Sequence, residues 1–138
     1  MQDGYVRGWP RLLLRAEGGC ILLAALFGYA WSGQSWWTVA ALILAPDLSM
    51  LGYLVNSRLG AITYNTAHTS TAPLLLLCAS EAANGHLTAG LALIWLAHIG
   101  LDRALGYGLK YMSGFGDTHL GSPGGHRTQA ASVGLGET

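Results

Sequence analysis

Residues 87–109 read LTAGLALIWLAHIGLDRALGYGL, and this apolar run decides the fold. About 20 mostly apolar residues are enough for an α-helix to cross the hydrocarbon core of a bilayer. The run is interrupted only by His98, Asp102 and Arg103. We therefore predict a transmembrane helix here that carries three ionisable side chains within it.

Three further apolar stretches precede this one, at about residues 12–31, 36–55 and 61–82, and short polar connections separate them. Short connections favour antiparallel neighbours in a bundle. The sequence thus predicts an all-α, integral-membrane four-helix bundle formed by residues 1–121. Residues 122–138 are rich in Gly, Ser and Thr, so we expect a disordered C-terminal tail there.

The composition supports lipid as the surrounding medium. Hydrophobic residues make up 51% of the chain and charged residues 10%, whereas about 25% charge is usual in a soluble domain. The formal net charge is zero, so nothing indicates a nucleic-acid partner. Cys20 and Cys78 fall in different predicted helices, and we expect each to be a buried, unpaired thiol.

The positive charges indicate how the bundle lies in the cell membrane. Neither the connection after the first span nor the one after the third contains Lys or Arg. The positive-inside rule then makes the opposite side cytoplasmic, with both termini on it. Trp31, Trp36 and Trp37 gather at the other surface, as an aromatic belt does. The basic residues on the predicted cytoplasmic side are Arg7, Arg11, Arg15, Arg58, Arg103, Lys110 and Arg127.

Ionisable side chains from separate spans are predicted to share one depth. Counting about 1.5 Å per residue from the span ends places Asp47, His68 and Asp102 roughly 12 Å below the cytoplasmic surface. Glu17 lies slightly shallower, and His98 shares a helix face with Asp102 four residues later. Because ionisable groups inside a membrane are expensive, they are candidates for function. We predict a polar pocket that opens toward the cytoplasm.

Structural roles remain open for the same groups. Asp102 could form an ion pair with Arg103, and His98 could hydrogen-bond Asp102 to hold two helices together. Asn65 could serve only as an interhelical hydrogen bond. His68, His98 and Asp102 offer ligand types for zinc or non-haem iron. No HExxH, CxxC or multi-His box is present, so a metal is possible but not favoured, and we predict no cofactor.

Several blocks of sequence carry a family resemblance. They are PDLSMLGY at 46–53, the GA, YN and HT pairs within 60–69, WLAHIG at 95–100, DRALGYGLKY at 102–111, and Phe115 followed by DTHLG at 117–121. Together they resemble an uncharacterised bacterial family of small four-helix membrane proteins, known as a domain of unknown function. The resemblance covers about Leu12 to Gly121 and implies the same topology and polar residues. It implies no activity.

The polar groups favour an enzyme that performs acid–base chemistry on a lipophilic small molecule. A donor and a complementary base in fixed positions are what such chemistry requires. We expect Asp47 to be the general acid and His98, oriented by Asp102, to be the base, with His68 donating a hydrogen bond to a substrate oxygen. The predicted substrate-binding residues are Tyr64, Asn65, Arg103, Tyr107 and Glu17.

The reaction is expected to be a protonation-initiated cyclisation or isomerisation of a prenyl or epoxide compound. Small integral-membrane terpene cyclases provide the analogy, and lipid or epoxide hydrolysis would use the same groups. A proton-coupled transporter or ion pathway is the first alternative, since intramembrane Asp and His chains also relay protons. A membrane accessory or assembly subunit is the second, and a homo-oligomer is compatible with each hypothesis.

Overall fold

The computed structural model describes residues 6–112, 115–116 and 118–121. The described residues form helices, apart from one isolated antiparallel bridge between Lys110 and Thr118. The predicted all-α class is confirmed. The elements are α1 (Trp9–Trp31), α2 (Trp36–Leu42), a 3₁₀ helix (Ala45–Leu54), α3 (Ser57–His68), α4 (Thr71–Ala82) and α5 (His86–Leu105).

Three helical stretches are long and apolar enough to cross a membrane. They are α1, α5 and Trp36–Leu54, the last of which combines α2 with the 3₁₀ helix. Large apolar side chains such as Phe27 and Trp37 are exposed on their outward faces, which is unusual for a surface in contact with water. Cys20 and Cys78 are free but exposed. The prediction of buried thiols was therefore wrong, because both side chains point outward from the bundle.

The second predicted span changes helix type at Pro46. The α-helix ends at Leu42, and the 3₁₀ helix that follows has Pro46 in its first turn. Proline fits the first turn of a helix because the N–H that it lacks would be unpaired there in any case. Asp47 follows directly and lies in the same first turn.

The third predicted span, residues 61–82, is two helices rather than one. α3 ends at His68, Thr69 adopts an extended backbone with φ −81° and ψ 135°, and α4 begins at Thr71. Pro73 explains the break, because it has no N–H to bond to the carbonyl of Thr69 and its ring would crowd that carbonyl in a continuous helix. As a result, His68 stands at the C-terminal end of a helix.

α5 ends at Leu105, before the predicted end of the fourth span at residue 109. Gly106 caps it in a left-handed conformation with φ 95°, which glycine adopts without steric penalty and which often ends a helix. The chain then turns back toward α3. Asn65 holds it there, because its side-chain amide accepts from the N–H of Lys110 at 2.7 Å and donates to the carbonyl of Lys110 at 2.8 Å.

α1 and α5 are antiparallel and form the most extensive helix contact in the described residues. Arg15 Nε donates to the carbonyl of Ala104 at one end, and Gln34 Nε2 donates to the carbonyl of His86 at the other. Between them the helix backbones touch at Gly100, where an added Cβ would lie 2.5 Å from a backbone nitrogen of α1. α4 packs against α5, and the 3₁₀ helix packs against α3.

Candidate functional site

Four titratable side chains meet where the 3₁₀ helix, α3 and α5 come together. Nε2 of His68 lies 3.4 Å from Oδ1 of Asp47 and 3.5 Å from Oδ2 of Asp102. Nε2 of His98 lies 3.5 Å and 3.7 Å from the same two oxygens, and the two Nε2 atoms are 3.1 Å apart. We call Asp47, His68, His98 and Asp102 the four-residue cluster.

Burial differs between the two kinds of residue in the cluster. The His98 side chain is 1% exposed and the His68 side chain 4%, whereas Asp102 is 19% exposed and Asp47 35%. The imidazoles therefore form the inner side of the cluster and the carboxylates form the outer side. His98, which we predicted to be the base oriented by Asp102, lies on the inner side, behind the carboxylates.

Tyr64 supports two members of the cluster. Its ring stacks on that of His68 with centroids 3.7 Å apart, and its hydroxyl donates to Oδ2 of Asp102 at 3.2 Å. Its backbone carbonyl lies 2.9 Å from Nδ1 of His68. Since a carbonyl only accepts, Nδ1 of His68 carries a proton, and in the neutral ring the lone pair on Nε2 is directed into the cluster.

A cavity of about 420 Å³ opens beside the four-residue cluster. Asp47, Asp102 and Tyr64 line it on the cluster side. Its volume lies within the range of roughly 300–1,000 Å³ that is usual for small-molecule sites. The rest of its lining is largely aromatic or apolar and consists of Met50, Tyr107, Lys110, Phe115, Gly116 and Thr118.

Lys110 is a cavity residue that the sequence did not predict as part of the site. Its Nζ lies 3.4 Å from the ring centroid of Phe115 and 4.5 Å from that of Tyr64. Burial lowers the pKa of the Lys110 amine, and the charges of Asp102 and Asp47 partly oppose that shift. The sequence feature that could have revealed the position of Lys110 is Gly106, because a helix that ends there allows the following residues to fold back toward the cluster.

The other predicted binding residues differ in whether they line the cavity. Tyr107 lines it, and Arg103 lines a narrow crevice beside Tyr64 and His68. Asn65 uses its side-chain amide to hold the backbone of Lys110. It therefore positions a cavity residue, and the prediction that its amide binds substrate is not supported by this arrangement.

Glu17 does not join the cluster, contrary to the prediction. Its side chain is exposed, whereas the next residue, Gly18, is buried and faces α5 so closely that an added Cβ would lie 2.6 Å from Cβ of Arg103. Successive residues of a helix point about 100° apart. Because Gly18 faces the bundle interior, Glu17 points away from it.

The chain matches a known protein family over most of its length. The family described as "Domain of unknown function (DUF4260)" matches residues 11–122, which is most of the 138-residue chain. The chain belongs to this family. The predicted resemblance to an uncharacterised family is thus confirmed, and the DUF4260 domain contains the whole four-residue cluster. No curated protein and no solved structure matches the chain.

Within the DUF4260 domain, the cluster offers two kinds of chemistry. Carboxylates and imidazoles at these distances can hold and exchange protons. They are also ligand types of zinc and non-haem iron, and one such atom from each of the four residues lies within 4.8 Å of the others. The ion pair of Asp102 with Arg103 that the sequence left open is less well supported, because Asp102 faces the imidazoles and Tyr64.

Proposed function

We propose that this protein is an intramembrane enzyme that performs acid–base chemistry on a lipophilic small molecule. The observation that carries the proposal is the position of the four-residue cluster at one side of a largely apolar cavity of about 420 Å³. A concave apolar site with a few convergent polar groups is the usual form of a small-molecule site. Ionisable groups gathered in such a site are candidates for catalysis.

The proposed topology has four membrane crossings, with α3 and α4 together forming the third. The support is that α1, Trp36–Leu54 and α5 are each long and apolar enough to cross. The antiparallel contact of Arg15 with Ala104 defines one end of the bundle. Lys110 follows α5 at that end, and it lines the cavity. By the positive-inside rule this end is cytoplasmic, so the cavity opens toward the cytoplasm.

The topology can be tested with single cysteines at two exposed positions, one between α1 and α2 and one at the start of α3. Ser32→Cys and Ser57→Cys are compared in a Cys20→Ser, Cys78→Ser background, in right-side-out membrane vesicles. We expect a membrane-impermeant maleimide to label Ser32→Cys directly and Ser57→Cys only after permeabilisation. The reverse pattern would contradict the cytoplasmic placement, and immediate labelling of both positions would contradict a crossing between them.

The proposed reaction starts at the carboxylates, since these face the cavity. Asp47 is the more exposed of the two, and His68 lies 3.4 Å behind it as a proton partner. Lys110 also lines the cavity and can donate a hydrogen bond to an oxygen of the substrate, whereas the hydroxyl of Tyr64 donates to Asp102. A prenyl epoxide, which has an apolar body and one basic oxygen, suits this arrangement. Its opening leads to cyclisation, isomerisation or hydrolysis.

The enzyme proposal is tested with purified protein in detergent and a panel of prenyl epoxides and lipid esters. Asp47→Asn keeps the size of the side chain but removes its proton exchange. We expect turnover to fall by roughly 100-fold or more. Glu81→Gln is the matched control, because Glu81 is an exposed carboxylate on α4 at the other end of the bundle, and turnover should not change.

Two results would favour the alternative functions instead. Uptake of a solute into proteoliposomes that is driven by a pH gradient and gives no product would favour a transporter. The buried residues of α5 on the far side of His98 argue against a continuous polar route, because they are apolar ones such as Ile94 and Leu96. If no compound of the panel is converted and no flux is measured, the enzyme proposal fails and an accessory subunit is favoured.

A further inference from the structure

We propose that the four-residue cluster binds one divalent transition-metal ion, and that Zn²⁺ is the ion that best matches its geometry. The chemical role of the ion rests on the proposed function, whereas its binding does not. The argument uses the distances between the ligand atoms, the protonation of the imidazoles and the buried charge.

Five of the six separations between the ligand atoms are close to those of a tetrahedral site. Zinc bonds of about 2.0–2.1 Å to nitrogen and oxygen place neighbouring tetrahedral ligands roughly 3.3 Å apart. The five imidazole-to-imidazole and imidazole-to-carboxylate separations in the cluster are 3.1, 3.4, 3.5, 3.5 and 3.7 Å. The remaining pair, between the carboxylates, is within 4.8 Å. One ion at the centre can therefore reach all four atoms without a large backbone movement.

The Nε2 atoms of the two imidazoles face each other, and one cation between them could bind both. In the neutral ring, Nε2 of His68 carries a lone pair, because Nδ1 donates to the carbonyl of Tyr64. Nε2 of His98 lies 3.1 Å from it. If His98 donates a proton to His68, then Nδ1 of His98 keeps a lone pair that is buried without a partner in the described part of the chain. A metal between the two Nε2 atoms would use both lone pairs, and Nδ1 of His98 would then carry the proton of the neutral ring.

The charge of the cluster also favours a cation. When both carboxylates, whose ligand atoms lie within 4.8 Å of each other, are ionised beside two neutral imidazoles, the cluster carries a charge of about −2, and a nearby cation favours that state. Lys110 compensates only in part, because its Nζ packs on the ring of Phe115. A divalent ion would neutralise the pair.

The donor set selects the kind of metal. Mg²⁺ and Ca²⁺ prefer oxygen ligands throughout, whereas two imidazoles with two carboxylates suit Zn²⁺ or another ion of the first transition series. The four ligands come from three separate elements, so no local sequence motif reveals them. Tyr64 hydrogen-bonds to two of the ligands, His68 and Asp102, and so orients them, as groups that surround metal sites commonly do.

The proposed ion would act on the substrate from the cavity side of the cluster. Asp47 and Asp102 line the cavity, and Asp47 is 35% exposed. A metal that adds a further ligand there would polarise the same substrate oxygen that the metal-free cluster would protonate.

The binding test uses tag-free protein in detergent that is stripped with a chelator, dialysed against Zn²⁺ and analysed by elemental mass spectrometry. We expect about one Zn²⁺ per chain, and Co²⁺ in its place should give the visible absorption of a tetrahedral site. His98→Ala should lose at least 90% of the bound metal, whereas His86→Ala, an exposed histidine at the other end of α5, should keep it. Equal metal content in these two variants would overturn the proposal.

A second measurement uses the wild-type protein, so its result does not depend on whether a variant folds. Zn²⁺ at about 100 times its Kd should raise the midpoint of thermal unfolding of the stripped wild-type protein by roughly 9 °C. No shift in the wild type would contradict the proposal. Metal binding without turnover would reject the enzyme proposal alone, and turnover that persists in stripped protein would reject the catalytic role of the metal alone.

Discussion

Replacing Gly100 with alanine is expected to lower the stability of the bundle by about 3 kcal/mol, the upper part of the range for overpacked sites. The new Cβ would lie 2.5 Å from the backbone nitrogen of Leu22 and 2.8 Å from the carbonyl oxygen of Gly18. Both atoms belong to the backbone of α1, so they cannot move aside as a side chain can. α1 and α5 would have to separate along their length.

The effect is measured as the midpoint of thermal unfolding in detergent, which we expect to fall by roughly 10 °C. Gly19→Ala is the matched control, because an added Cβ at Gly19 meets nothing within 4 Å. Alanine favours a helix over glycine by about 1 kcal/mol, so that variant should be as stable as the wild type or more so. Equal midpoints for the two variants would contradict the close approach of α1 and α5.

Counting depth along each predicted span brought Asp47, His68 and Asp102 together, although two of those spans are not continuous α-helices up to their predicted ends. Each helical residue advances by a fixed rise, so residues at equal distances from the span ends lie at similar levels. Asp47, His68 and Asp102 were placed at one level in this way, and their side chains do meet. His98 followed from its spacing of four residues to Asp102, which the structure retains.

The sequence prediction was wrong about which face of a helix Glu17 occupies and about where some helices begin and end. Depth says nothing about which face a side chain occupies, and for this reason Glu17 was placed in the pocket although it points outward. Pro73 and Gly106 are themselves local signals of a helix break and a helix end, but the continuous hydrophobic runs around them led us to predict longer helices. The position of Lys110 depends on its contact with Asn65, which is 45 residues away in sequence, and no local pattern specifies such a contact.

The Asp102→Asn variant is expected to lose activity by roughly 10³-fold, which is within the usual range for acid–base groups. Asp102 differs from Asp47 in having a further partner, since its Oδ2 accepts the hydroxyl hydrogen of Tyr64 at 3.2 Å. The amide oxygen of asparagine can still accept that hydrogen bond. The substitution therefore removes the carboxylate charge from the cluster and keeps the contact with Tyr64.

A comparison with Tyr64→Phe separates catalysis by Asp102 from its role in packing. Phenylalanine keeps the stacking on His68, which brings the two rings to 3.7 Å, but it removes the hydroxyl. We expect a smaller loss of kcat, about tenfold, because the carboxylate remains and only its orientation is relaxed. Both variants should unfold within a few degrees of the wild type, since neither leaves a large void.

The ratio between the activity losses of Asp102→Asn and Tyr64→Phe distinguishes a catalytic role of Asp102 from a structural one. If the carboxylate itself acts on the substrate or holds a metal there, Asp102→Asn must be far less active than Tyr64→Phe at similar unfolding midpoints. If Asp102 only fixes the positions of helices, the two variants lose activity in proportion to their loss of stability. Turnover by Asp102→Asn at the rate of the Glu81→Gln control would exclude a catalytic part for this carboxylate, because Glu81 is exposed on α4, remote from the cavity.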